Sequence, residues 1–129
     1  MTAEIVFDSS AIIAFIRREP GFEAVIPYLG QGVMSAVNLQ EVVKVLLLRG
    51  LAQPLIRELI AELRFDIIPH DEAEAFQAAQ LIHATRTIGS GLGDRSCMAL
   101  AIRLGVPALT TDRAWTQLEI PGLEVRLAR

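Results

Sequence analysis

Four acids occupy places where side chains can do chemistry: Asp8, Glu41, Asp94 and Asp112. Asp8 follows the apolar run Ile5-Val6-Phe7, and Asp112 follows Ala108-Leu109-Thr110-Thr111, so both read as residues at the carboxyl ends of buried strands. In an open parallel sheet, ligands collect beyond those ends. Asp94 stands where the glycine-rich segment Gly89-Ser90-Gly91-Leu92-Gly93 enters a helix that leads to the strand before Asp112. Glu41 lies early in an apolar helix, with Val37, Asn38, Lys44, Val45 and Leu48 at helical spacing. An isolated carboxylate there needs a partner, either a metal ion or Lys44.

Carboxylates that converge repel one another, and a cation must neutralise the cluster. Hard oxygen ligands select magnesium or manganese over softer metals. Two such ions about 3.5–4 Å apart can activate a water and steady the leaving oxygen in phosphodiester cleavage. Each acid also has a local alternative. Asp94 reads as a helix N-cap, Asp112 as a turn or cap residue, Asp8 as a cap for the helix after it, and Glu41 as a surface partner of Lys44. Spacing alone leaves both readings open.

The elements that must position these acids alternate along the whole chain. Strands are predicted over residues 5–7, 33–35, 65–69, 107–111 and 123–127. Helices are predicted over 11–17, 22–29, 37–49, 54–64, 71–88 and 94–105. Pro27 is awkward inside the second helix and marks an early end or a kink. Gly50 is placed to stop the third, and Pro54 suits the first turn of the fourth, where Leu55, Ile56, Leu59, Ile60 and Leu63 share one face. Short strands joined through helices imply one α/β domain over residues 1–129 with a central, mostly parallel sheet of about five strands.

Composition narrows the class. With 52% hydrophobic and 21% charged residues, the 129-residue chain is not disordered, and so apolar a small domain is expected to bury surface against another chain. Its most apolar stretch, residues 39–48, is broken by Gln40, Glu41 and Lys44, so no membrane span is expected. The start, Met1-Thr2-Ala3-Glu4, lacks the basic residues of a signal peptide. The single cysteine, Cys97, excludes an internal disulfide or a multi-cysteine metal site and reads as a small core residue. These features favour the cytoplasm. The net charge of −3 means that a nucleic-acid ligand would need bound metal or a local basic patch to offset repulsion.

Four blocks settle the expectation: Ile5-Val6-Phe7-Asp8-Ser9-Ser10-Ala11-Ile12, Ser35-Ala36-Val37-Asn38-Leu39-Gln40-Glu41-Val42, Leu92-Gly93-Asp94-Arg95-Ser96-Cys97-Met98-Ala99-Leu100-Ala101 and Leu109-Thr110-Thr111-Asp112-Arg113-Ala114-Trp115. In order and spacing they resemble the signature blocks of PIN-domain proteins, in particular the VapC-type toxins of toxin–antitoxin pairs. The resemblance covers essentially the whole chain. It implies an α/β/α domain and an endoribonuclease dependent on Mg2+ or Mn2+. Asp8 and Asp94 would be the principal metal ligands, and Glu41 and Asp112 would complete the quartet directly or through metal-bound water. Ser9 would give a supporting hydrogen bond, with Asn38 and Thr111 as weaker candidates for the same layer. Some relatives carry a further acid beyond the last aspartate; here only Glu119 is near enough to serve. The resemblance also implies an RNA substrate, a homodimer and a cognate VapB-type antitoxin lying in a groove near the site. The apolar helices over 37–49 and 54–64 agree with a buried contact, or else simply cross the core.

Two other functions compete. An aspartate-nucleophile phosphatase of the haloacid dehalogenase kind would place a second aspartate two residues after Asp8 and then glycine, where Ser10 and Ala11 stand. A non-catalytic binding module could keep the fold, although retention of all four acids speaks against decay. His70 and His83 share no metal-binding spacing, the 89–93 loop lacks the lysine and hydroxyl of a P-loop, and no G-x-S-x-G elbow is present.

Overall fold

β1 (Ile5–Phe7) is buried along its whole length, as a strand covered on both faces must be. A computed structural model describes residues 3–129; Met1 and Thr2, part of the N-terminal segment considered above, lie outside it. α1 (Ser9–Arg17) follows at once, and a 3-10 segment (Phe22–Tyr28) replaces the α-helix predicted there. Pro27 explains the difference. It has no N–H to donate, and the segment relies on short-range bonds such as Leu29 N to Ile26 O at 3.2 Å.

β2 (Gly32–Ser35) leads into α2 (Ala36–Leu48), with the Ser35 hydroxyl accepting the Val37 N–H. α3 (Gln53–Leu63) has proline in its first turn, as predicted. β3 (Asp66–Ile68) precedes α4 (Glu72–Gln80), which Asp71 caps by accepting the Glu74 N–H. α4 ends eight residues before the predicted limit of 88. There the backbone tightens to Leu81 N–Ala78 O and Ile82 N–Ala79 O bonds. Thr85 returns both its N–H and its hydroxyl to the Leu81 carbonyl, at 3.0 and 2.7 Å. α5 (Leu92–Leu104) begins two residues before Asp94, and β4 (Ala108–Thr110), a 3-10 turn (Arg113–Gln117) and β5 (Val125–Leu127) complete the chain.

The five strands are all parallel in the order β3-β2-β1-β4-β5. The chain builds outward from β1 to β3, then returns to lay β4 on the other side of β1. β1 and β4 therefore flank the switch point, where loops leave in opposite directions and open a crevice. Side chains alternate across the sheet. Ile5, Phe7, Met34 and Leu109 pack with Ile12, Val25, Val42, Leu46 and Ile56 on one face. Val6, Val33 and Ala108 pack with Cys97, Met98, Leu100, Ala101 and Trp115 on the other. The result is the expected α/β/α sandwich, and Cys97 is a core residue. No helix among the described residues is long and apolar enough to cross a membrane.

Candidate metal centre

Asp8 leaves the carboxyl end of β1 at the switch point. It holds the N-cap position of α1 in extended backbone, yet its side chain makes no capping bond, so the local alternative fails for this residue. Its carboxylate is buried instead, only 5% exposed. Ser10 Oγ donates to Asp8 Oδ2 at 2.6 Å, and Thr110 Oγ1 donates to the same oxygen at 2.8 Å from the end of β4. Burial pushes the Asp8 carboxyl up to about 6; the two hydroxyls pull it down, and the charges of Asp94 and Glu41 push it up further.

Glu41 is partly buried on α2, and its partner is not Lys44. Ser9 Oγ donates to Glu41 Oε1 at 2.5 Å, and Asn38 Nδ2 donates to the same atom at 3.1 Å. Asn38 is fully buried, and its amide also reaches the Gly93 carbonyl at 3.0 Å and Ser9 Oγ at 3.1 Å. One amide thus ties α1, α2 and the first turn of α5 together. Gly93 leaves room for the Glu41 carboxylate: a Cβ there would overlap it unless that side chain moved.

Asp94 sits in the first turn of α5 rather than at its cap. Gly91 is the cap residue, and its N–H donates to Asp94 Oδ2 at 2.9 Å. Burial raises the Asp94 carboxyl, and the charges of Glu41 and Asp112 add to the rise. Asp112 follows β4, is exposed, and accepts the Ala114 N–H at 3.0 Å, so its local capping role is real. Its own N–H is held by Thr110 Oγ1 at 3.1 Å. Asp8, Glu41 and Asp94 therefore act on one another, and Asp112 acts on Asp94 from the rim. Glu119 is exposed and is not among the charges that shift Asp8 or Asp94.

Of the supporting residues expected from sequence, Ser9 and Asn38 meet Glu41, while Thr111 contributes a backbone N–H, donated to Ser10 Oγ at 3.1 Å. The hydroxyls on Asp8 are those of Ser10 and Thr110, neither of which was singled out. Their signal is weak in sequence, because their worth depends on β1 and β4 being neighbours.

A divalent cation suits this donor set. Among the described residues, no lysine, arginine or histidine nitrogen lies within 4.0 Å of any of the four acids, so their mutual repulsion has no internal counter-charge in direct contact. Nor do any three Asp, Glu, His or Cys side chains among those residues come close enough to grip one ion directly. Zinc, which takes three or four direct ligands, does not fit. Mg2+ does, because it keeps several waters and needs only one or two carboxylates. Asp8 and Asp94 would hold it, with Glu41 and Asp112 reaching its water shell.

The profile of the PIN domain matches residues 5–121. The chain belongs to the PIN domain family. Solved structures share its fold over nearly its whole length. A toxin–antitoxin complex from Klebsiella pneumoniae includes a chain 20% identical, matched over 98% of each chain with a TM-score of 0.76. The DNA-bound VapBC of Salmonella typhimurium gives 16% identity over 99% of this chain and 100% of that one, with a TM-score of 0.69. VapBC-5 of Mycobacterium tuberculosis gives 23% identity over 97% and 98%, with a TM-score of 0.63. Comparison with curated protein sequences finds no match.

Proposed function

We propose that this PIN domain is the toxin of a type II toxin–antitoxin pair. It would act in the cytoplasm as a Mg2+- or Mn2+-dependent endoribonuclease, silenced by a cognate VapB-type antitoxin. The observation that carries the reading is Asp8, a buried carboxylate at the switch point with Glu41 and Asp94 bearing on it and no cationic side chain in contact. That arrangement is costly unless a positive charge arrives from solution. The fold shared with chains of toxin–antitoxin complexes supports the biological role.

In cleavage of an RNA phosphodiester, water oxygen bonds to phosphorus, the bond to a ribose oxygen breaks, and that oxygen leaves with a proton. A bound divalent cation would supply the charge that makes the water more acidic and offsets the developing negative charge. Asp8, fixed by Ser10 and Thr110, presents a carboxylate that cannot swing away. Glu41 is fixed by Ser9 and Asn38 and sits beside Gly93. Asp94, partly buried in the first turn of α5, would share the cation with Asp8. Asp112 is exposed on the rim, where an incoming backbone would pass.

Apolar surface left over on the first face supports a protein partner. Leu47 and Leu48 of α2 are 49% and 80% exposed. Leu39, Val43, Ile56 and Ile60 line a trough of about 300 Å³ between α2 and α3. Antitoxin and a second copy of the toxin are the occupants proposed for these surfaces.

RNA cleavage with Mg2+ or Mn2+, with chelator, and with Asp8→Asn tests the proposal. Chelator should stop cutting, and the variant should lose about a hundredfold or more, as for other losses of charge at a reacting centre. Cleavage indifferent to both would end the nuclease reading.

A further inference from the structure

We infer that Ser10 and Thr110 are positioning residues that decide which oxygen of Asp8 is left for a cation, an inference that rests on the metal-dependent reading above. A hydroxyl has one hydrogen to give and two lone pairs with which to accept. Ser10 Oγ accepts the Thr111 N–H at 3.1 Å, and Thr110 Oγ1 accepts the Asp112 N–H at 3.1 Å. Backbone N–H groups only donate, and an ionised carboxylate only accepts. Each hydroxyl hydrogen is therefore directed to Asp8, and both go to Oδ2, at 2.6 and 2.8 Å. The two hydroxyl oxygens lie 3.2 Å apart, and neither has a second hydrogen to spend on the other.

Oδ2 is thus filled by two donors, while no hydrogen bond among the described residues reaches Oδ1. Asp8 is presented as a one-oxygen ligand. Neutral hydroxyls achieve this without cancelling the carboxylate charge, which a lysine or arginine in the same place would do. The two hydroxyls come from opposite sides of the switch point, one from the start of α1 and one from the end of β4. Through Thr110 they also fix the backbone N–H of Asp112, so the first and last acids of the site are referenced to the same atom.

The test is Mn2+ affinity of the purified chain by titration calorimetry, with folding checked by far-UV circular dichroism of the metal-free protein. Thr110→Val keeps the shape of a fully buried side chain and removes only its hydroxyl. Thr110→Val and Ser10→Ala should each weaken Mn2+ binding by about tenfold or more, the usual loss when a ligand's hydrogen-bond partner is removed. Thr110→Ser, which restores the hydroxyl and deletes a methyl, should bind within about threefold of wild type. A merely structural threonine would show the reverse, with Ser no better than Val, and that result overturns the inference. Equal affinity in all variants overturns it too. A wild-type chain with no Mn2+ affinity overturns the metal reading along with it, which separates the two failures.

Discussion

At the level of single residues, the acidic centre is a cost to stability. Asp8 holds its proton up to about 6 in the folded chain, against an ordinary value of 3.8. Between those values the folded state keeps a proton that the unfolded state has released, so stability falls as pH rises through the window. The raised Asp94 works in the same direction. The chelated protein should therefore melt at a lower temperature at pH 7 than at pH 4.5, with Asp8 alone accounting for a loss on the order of 2 kcal/mol. Asp8→Asn should flatten the dependence and raise the melting point at pH 7. Thermal melts across pH decide this, and a stability that climbs through the window refutes it. Gly93→Ala makes a second prediction. The added methyl meets the flexible end of Glu41 rather than backbone, so the fold should survive at a cost of about 1 kcal/mol while Glu41 is driven off Ser9 and Asn38. Melting would shift little and RNA cleavage would drop sharply; full activity would mean that Glu41 is dispensable. Glu41 stood out in the sequence as a lone acid within an apolar helix, and the places of Asp8, Asp94 and Asp112 were legible because each follows or opens a recognisable element. Ser10 and Thr110 were not, since a hydroxyl becomes informative only once its neighbour across the sheet is known.

Among the elements, the predictions worked where a segment's pattern was self-contained. The apolar runs at 5–7 and 108–110 became the buried strands that end at Asp8 and Thr110. They worked less well in the 3-10 segment, where Pro27 tips the local balance, and beyond α4, where short-range bonds replace the helix. α2 shows what periodicity left open. Its run of valines and leucines suggested burial on several sides, yet of its large apolar residues only Val42 and Leu46 are buried, and Leu48 lies 80% exposed. Leu46→Ala should cost about 2–5 kcal/mol in denaturant unfolding and Leu48→Ala less than about 0.5 kcal/mol in the isolated chain. Similar costs at both sites would mean that α2 is covered on its far side. The 3-10 turn after Asp112 carries the only tryptophan, Trp115, which is fully buried. Its emission should be blue-shifted in the native state and move to the red as the turn that carries Asp112 comes apart, giving a direct optical report on that rim of the site.

For the molecule as a whole, alternation of strand and helix was enough to give the α/β/α class, but not the strand order. Nothing in the segments themselves says that the fourth strand returns to lie beside the first; the pairing of Val6 with Ala108 is a property of the assembled sheet. The exposed leucines of α2 bear on assembly. Sedimentation velocity of the wild-type chain should show a dimer, and Leu47→Lys combined with Leu48→Lys should shift it toward monomer with an unchanged circular dichroism spectrum. A monomeric wild type would remove the homodimer from the proposal and leave these leucines to the antitoxin.

The return of β4 to the side of β1 also has a bearing on how the protein is made. Asp8 is synthesised before the threonine that steadies it, which lies 102 positions downstream. Until that late strand has been synthesised and has docked, the earliest acid has no fixed orientation, and the crevice between β1 and β4 does not exist. On the nuclease reading proposed above, a growing chain would gain a capacity to cut RNA only after β4 has been made and has docked beside β1.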